Sequence, residues 1–239
     1  MRFGAILAGG IGSRMQNENL PKQFLPLGTK PIILHTLEKF LLSTRLDAIL
    51  LGIHPDWISY MEDILYKHVA LEERARLRIV PGGRNRSETL FNVIEAIESE
   101  FGAAMSHIVV THDAVRPFVS LRIIEENIDA AEKHGACNTV VPATDTIVES
   151  NDGCTISRIP VRSTMYQGQT PQSFHVHKLK ELYEKMTGEE REHLTDACKI
   201  YTEFGEPVFL AAGDVLNFKI TTINDYRIAE SMLSSIAND

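Results

Sequence analysis

An apolar run from Phe3 to Ala8 opens the chain and predicts a short buried strand. Further runs at Ala48 to Ile53, Leu77 to Val80, His107 to Thr111 and Thr139 to Val141 predict four more. Between them the apolar positions change to helical spacing. Ile33, Leu37, Phe40 and Leu41 mark one face of a helix beginning near Pro31, whose fixed φ suits a first turn. Trp57, Met61, Ile64 and Leu65 mark a second within Asp56 to His68, and Leu90, Val93, Ile94 and Ile97 a third; Leu121 to His134 reads as a fourth. Strands apolar throughout, alternating with helices, predict an α/β fold: a Rossmann-like, mostly parallel sheet with helices on both faces.

From Ala143 to Gln172 the rhythm breaks. Thr146 to Glu149 and Thr155 to Ile159 flank Asn151-Asp152-Gly153, a hairpin turn signal, and predict a β-arm projecting from the body. Helices resume at His175 to Met186 and Asp196 to Phe204. Pro207 to Ala212 and Phe218 to Thr221 read as the last strands, and Asp225 to Ile236 as a closing helix. No linker or internal repeat interrupts this order, so residues 1–239 are expected to form one domain carrying an arm at about 143–172.

The first predicted strand runs into Leu7-Ala8-Gly9-Gly10-Ile11-Gly12-Ser13-Arg14, and Pro21-Lys22-Gln23 follows soon after. Glycines let the backbone turn sharply and bring its N–H groups against an anion. Arg14 adds a fork of donors and Lys22 a point charge. Together they have the makings of a triphosphate cradle. No Walker A string occurs, and Met15 stands where a dinucleotide fingerprint needs glycine.

Composition narrows the partners. The net charge of −8 argues against nucleic acid. No stretch reaches the roughly 20 apolar residues of a membrane span, and no signal peptide is legible. Cys137, Cys154 and Cys198 are odd in number and widely spaced, which suggests neither a disulfide framework nor a zinc site. A cytoplasmic protein is expected.

Two more polar strings fall after predicted strands, where open parallel sheets bind ligands. Gly82-Gly83-Arg84-Asn85-Arg86-Ser87-Glu88-Thr89 reads as a turn with a helix cap, or as an edge that reads a nucleobase. His112-Asp113-Ala114-Val115-Arg116-Pro117 places a carboxylate suited to magnesium or to ribose hydroxyls. Arg162 on the arm and Lys219 in a strand-like stretch would serve only solubility if taken alone. The nine histidines show no metal-ligand spacing, and no Ser/His/Asp or Cys/His set can be assembled.

These strings in order resemble the 4-diphosphocytidyl-methylerythritol synthase family, the methylerythritol phosphate cytidylyltransferases. Gly9-Gly10-Ile11-Gly12-Ser13-Arg14-Met15, Pro21-Lys22-Gln23, Gly82-Gly83, His112 to Pro117, Thr170-Pro171-Gln172 and Lys219-Ile220-Thr221 carry the resemblance, which is essentially end to end. Within the family the chain looks closest to the branch that acts on ribitol 5-phosphate for teichoic-acid synthesis. Leu7-Ala8-Gly9-Gly10 replaces the usual Ala-Ala-Gly of the isoprenoid enzymes, and Val115 their Ala. Asp145 to Glu149, Tyr166 to Gln169 and Thr195 to Lys199 also match that branch.

The resemblance implies CTP and a polyol phosphate as substrates and Mg²⁺ as cofactor. By it, Arg14, Lys22, Arg162 and Lys219 are the catalytic cations. Leu7, Ala8, Gly9, Gly10, Gly82, Gly83, Arg86, Ser87, Thr89 and Asp113 hold the nucleotide, Asp113 near the metal as well. Arg116, Thr146, Arg162, Thr170 and Lys219 face the polyol phosphate. Thr89 stands where the family has serine. The family forms two-fold dimers through the arm, and the ribitol branch implies a reductase as supplier of ribitol 5-phosphate.

Overall fold

A computed structural model describes residues 1–10 and 20–236. Alternate residues of β1 (Arg2–Ala8) face opposite sides of one sheet: Phe3, Ala5 and Leu7 enter one apolar layer, Ile6 and Ala8 the other. β1 pairs in parallel with β4 (Ala48–Ile53) and β6 (Ile108–Asp113), and β4 with β5 (Leu77–Pro81). Beyond β6 lies β8 (Tyr166–His175), antiparallel to β6 and to β7 (Ala136–Pro142), and β9 (Phe209–Ala212) runs parallel to β7. The seven-stranded order is β5-β4-β1-β6-β8-β7-β9. A two-residue ribbon, β2 (Pro26–Leu27) with β3 (Lys30–Pro31), stands apart.

The layer containing Ile6 is filled by α1 (Ile32–Leu41), α2 (Ile58–His68) and α5 (Leu121–His134). The layer containing Phe3 is filled by α4 (Arg86–Phe101), α6 (Val176–Lys185) and α8 (Ala197–Glu203). The expected sheet with helices on both faces is therefore present. α3 (Leu71–Arg74) and α7 (Gly188–Glu192) are short connectors. From α9 (Ile223–Ile236), Ala229 joins Leu27, Ile32, Val115 and Ile220 in a small cluster of its own. No described helix is long and apolar enough to cross a membrane.

Three expectations are corrected. The arm does not run to Gln172, because Tyr166–His175 is the inner strand β8. Gln169, Thr170, Gln172 and Ser173 are buried polar residues there, so no apolar run marks the strand. Pro171, which cannot donate to a ladder, lies where the β7 register shifts between Asn138 and Val140. Secondly, the hairpin has its turn, with the Asp152 carboxylate accepting from the Cys154 and Thr155 N–H groups, but only one bridge, Glu149 to Arg158. With Val148, Ile156 and Ile159 exposed, the flanks gain no packing that would hold a ladder. Thirdly, Phe218 to Thr221 is not a strand; its backbone is held by bonds that include Ile220 N–H to the Val115 carbonyl at 2.9 Å and Thr221 N–H to Asp225 Oδ2 at 2.8 Å.

Candidate active site

The carboxyl ends of β1, β5 and β6 open into a cavity of about 400 Å³. It is lined by Leu7 to Gly10, Lys22, Gln23, Arg84 to Arg86, Thr89, Asp113 to Val115 and Lys219. Two turns meet closely here. A Cβ on Gly9 would lie 2.4 Å from Thr89 Oγ1, and one on Gly82 would lie 3.0 Å from the Gly9 Cα, so both positions need a bare backbone. The Thr89 hydroxyl accepts from the Gly83 N–H at 3.0 Å and donates to the Asn85 carbonyl at 2.9 Å, fixing the second turn against the start of α4. Asn85 caps that helix by accepting from the Glu88 N–H at 2.8 Å.

Asp113, at the end of β6, is the electrostatic centre. Arg86 Nε lies 3.0 Å from its Oδ1; Lys219 Nζ lies 2.9 Å and Arg116 Nε 3.5 Å from its Oδ2. Burial by itself would raise the Asp113 pKa, but Arg86, Lys219 and Arg116 hold it far below the usual carboxylate range. Burial opposes the Arg86 charge, yet Asp113 more than offsets that and the guanidinium pKa is raised. For Arg116 burial prevails and the value is lowered. With Lys22 added, these cations surround the one carboxylate that lines the cleft among the described residues, an arrangement suited to a polyanion.

Behind Asp113 the polar groups are tied to one another. Its backbone N–H donates to Thr170 Oγ1 at 3.1 Å, and the Thr170 hydroxyl lies 3.0 Å from His112 Nδ1. With that hydroxyl donating, His112 carries its proton on Nε2 and gives it to the Arg116 carbonyl at 3.1 Å. Burial pushes the imidazole down to about 4, so it is neutral and both nitrogens are engaged. It holds no proton-accepting capacity for catalysis. Arg116 donates to the Asn217 carbonyl at 2.8 Å, and Asn217 in turn donates to the Thr170 carbonyl at 2.8 Å.

Residues 4–235 match the 2-C-methyl-D-erythritol 4-phosphate cytidylyltransferase family. The chain belongs to this family. Among solved structures it is similar to the 4-diphosphocytidyl-2C-methyl-D-erythritol synthase of Anaerococcus prevotii, at 27% identity with a TM-score of 0.80, over 98% of this chain and 96% of the other. It is similar to the 2-C-methyl-D-erythritol 4-phosphate cytidylyltransferase of Thermus thermophilus at 26% identity and a TM-score of 0.70, over 97% and 98% of the two chains. The Francisella tularensis enzyme of that name, 24% identical over 96% and 98%, shares the fold with a TM-score of 0.76.

In this cytidylyltransferase the cavity gathers Leu7, Ala8, Gly9, Gly10, Lys22, Arg86, Thr89, Asp113 and Lys219. Gly82 and Gly83 form the turn beside it. Arg116 and Thr170 stand behind Asp113. Ser87 is buried and donates to the Leu194 carbonyl at 3.1 Å, outside the cavity lining. Thr146 and Arg162 are exposed on the arm, where Arg162 donates to the Thr144 carbonyl at 3.1 Å, and neither lines the cavity. Arg14 lies outside the described residues.

Other residues stand in the sequence only inside strings that carry the resemblance, with no role of their own. Gln172 donates to Asp196 Oδ2 at 2.8 Å, and Asp196 also caps α8. Its charge adds to what favours the Arg86 cation. Thr195-Asp196-Ala197 is a cap signal and carries no sign of that second role. Gln23 is buried within the glycine loop, and only its place after Lys22 pointed there.

Among the described residues no group of three or more His, Cys, Asp and Glu is gathered to hold a metal. Family members generally use a divalent metal. Both Asp113 oxygens already face cations, so a further positive charge there would be repelled. The residues present do not fit a resident metal site built on Asp113.

Proposed function

We propose that the chain transfers CMP from CTP to D-ribitol 5-phosphate, giving CDP-ribitol and pyrophosphate for cell-wall teichoic-acid synthesis. The observation that carries the chemistry is the cluster of Lys22, Lys219, Arg86 and Arg116 about one glycine-lined cleft. The observation that favours ribitol is the set of branch-like strings, of which Leu7-Ala8-Gly9-Gly10 and Val115 line the cavity itself. Methylerythritol phosphate is the second reading, favoured by the family match over residues 4–235. A nucleotide-binding protein without turnover is the third; Lys219 within the cleft speaks against it.

The acceptor's phosphate has a second pKa near ~6 and is already largely dianionic at neutral pH. It therefore needs no general base, in keeping with the locked, neutral His112. One of its oxygens attacks the α-phosphorus of CTP in line; the bond from that phosphorus to the bridging oxygen breaks, and pyrophosphate departs with the electron pair. The obstacle is the approach of two anions and the charge on the equatorial oxygens. Lys22 and Lys219 supply cations from two separate segments of chain. Mg²⁺, bound as the counter-ion of CTP, would supply charge neutralisation, and no residue of this chain is assigned to hold it.

Pyrophosphate release from Mg·CTP with each polyol phosphate tests the substrate. Ribitol 5-phosphate is expected to give the higher kcat/KM. A strong preference for methylerythritol phosphate overturns the ribitol reading, and CTP binding without turnover of either supports the third.

The same reading places Arg162 and Thr146 at a neighbour's cleft. Both lie on the exposed arm, apart from the cavity of their own chain, and Val148, Ile156 and Ile159 beside them are uncovered. A homodimer through the arm would cover these residues and deliver Arg162 across. Mixing two inactive variants, Lys22→Ala and Arg162→Ala, should then restore part of the activity, since each mixed dimer holds one intact site. No recovery after confirmed subunit exchange, or a fully active monomer, overturns the shared site.

A further inference from the structure

A loop that receives phosphates must offer N–H groups and turn its carbonyls elsewhere, because a carbonyl oxygen near a phosphate repels it. On either side of Gly9 the carbonyls of Ala8 and Gly10 are both taken by one side chain. Gln23 Nε2 donates to the Ala8 carbonyl at 2.9 Å and to the Gly10 carbonyl at 2.9 Å. We propose that Gln23 is a positioning residue for the triphosphate end of the nucleotide site, its amide binding these two carbonyls and tying the Lys22 turn to the glycine loop. The proposal rests on the reading that this loop and Lys22 receive the phosphates of CTP.

The chemistry favours an amide. It offers two N–H donors and no net charge, where a carboxylate would add repulsion toward carbonyls and phosphates alike. Gln23 is only 2% exposed, so its amide is held away from water. It sits in the middle of a single 3₁₀ turn, Lys22–Phe24. On the far side of that turn Phe24 is buried, with its ring 5.6 Å from Trp57 and 5.2 Å from Tyr60. The turn is thus held from two directions, and Lys22 leaves it with its Nζ 3.2 Å from the Ile220 carbonyl. Losing the Gln23 bonds would free the loop carbonyls and let the Lys22 backbone drift from the cleft.

The test uses the full chain, Mg·CTP titrated by calorimetry, and pyrophosphate release with whichever polyol phosphate the wild type turns over. Gln23→Met keeps the length and removes both donors. Its Kd for Mg·CTP is expected to rise on the order of 10- to 100-fold, the usual result of orphaning buried acceptors. Gln23→Glu should lose as much at pH 8. It should recover toward wild type, measured in parallel, as pH falls and the buried acid gains one donating O–H. A merely structural role predicts no such recovery. Nucleotide affinity of Gln23→Met within twofold of wild type overturns the proposal, as does a Gln23→Glu deficit that is flat with pH. Should neither variant fold, the unaltered chain decides: slow exchange of the Gln23 side-chain amide protons supports the clamp, and exchange at the free-amide rate overturns it. A wild type that binds Mg·CTP but turns over no polyol phosphate would defeat the functional reading while leaving the affinity comparison intact.

Discussion

Lys22→Ala is expected to lower kcat on the order of 100- to 1,000-fold, with a smaller rise in the KM for CTP. Lys22 lines the cleft with Gly9, Gly10 and Lys219. Its charge is most useful when negative charge gathers on the equatorial oxygens of the pentacoordinate phosphorus, so its removal falls mainly on the transition state. The turn that carries it should survive, because Gln23 and Phe24 supply the buried contacts there. Thermal unfolding should therefore change little while turnover collapses. Lys22→Arg is expected to recover only part of the rate, since a planar fork does not place its charge where an ammonium does. Steady-state pyrophosphate release decides the matter. An unchanged kcat with a raised KM would mean that Lys22 binds ground state and transition state alike.

The parts of this cleft were unequally legible in the sequence. Strands β1, β4 and β6 are apolar or small at nearly every position because both faces of the sheet are covered, and they were read directly. β8 was not, because its buried polar residues bond to one another and to neighbours. Thr111 donates to the Gln172 carbonyl at 2.9 Å, Ser173 to Asn127 Oδ1 at 3.2 Å, and Thr139 to the Pro171 carbonyl at 2.6 Å. Satisfied polar groups can fill a core position, and hydrophobic patterning is blind to them. Lys219 was picked out, but as part of a strand. The bond of the Ile220 N–H to Val115 and the packing of Ile220 in the cluster with α9, both of which help fix the backbone there, have no local signature. Gly9 and Gly82 announced turns; that the two turns touch through Thr89 follows only from the pairing of β1 with β4 and β4 with β5.

Asp113→Ala is expected to destabilise the fold by about 3–5 kcal/mol, the usual cost of removing one partner of a buried charge cluster. Arg86, Arg116 and Lys219 would then face one another with no cleft carboxylate between them. The loss should also show in acid. The folded-state pKa of Asp113 lies well below the ordinary value of about 3.9, so its contribution is fully present above that value and is lost as pH falls toward the depressed one. Wild-type stability should therefore decline below about pH 4 more steeply than that of the variant, and the two curves should converge. Asp113→Asn separates charge from shape: it keeps an acceptor for Arg86 but not the charge, so it should fall between the two at pH 7. Turnover should drop in both variants, because Lys219 would no longer be held at 2.9 Å beside the cleft. Denaturant unfolding at pH 7 and at pH 3 checks the stability terms. Equal stabilities at pH 7, or curves that stay parallel into acid, would show that the three cations do not depend on Asp113 for their burial.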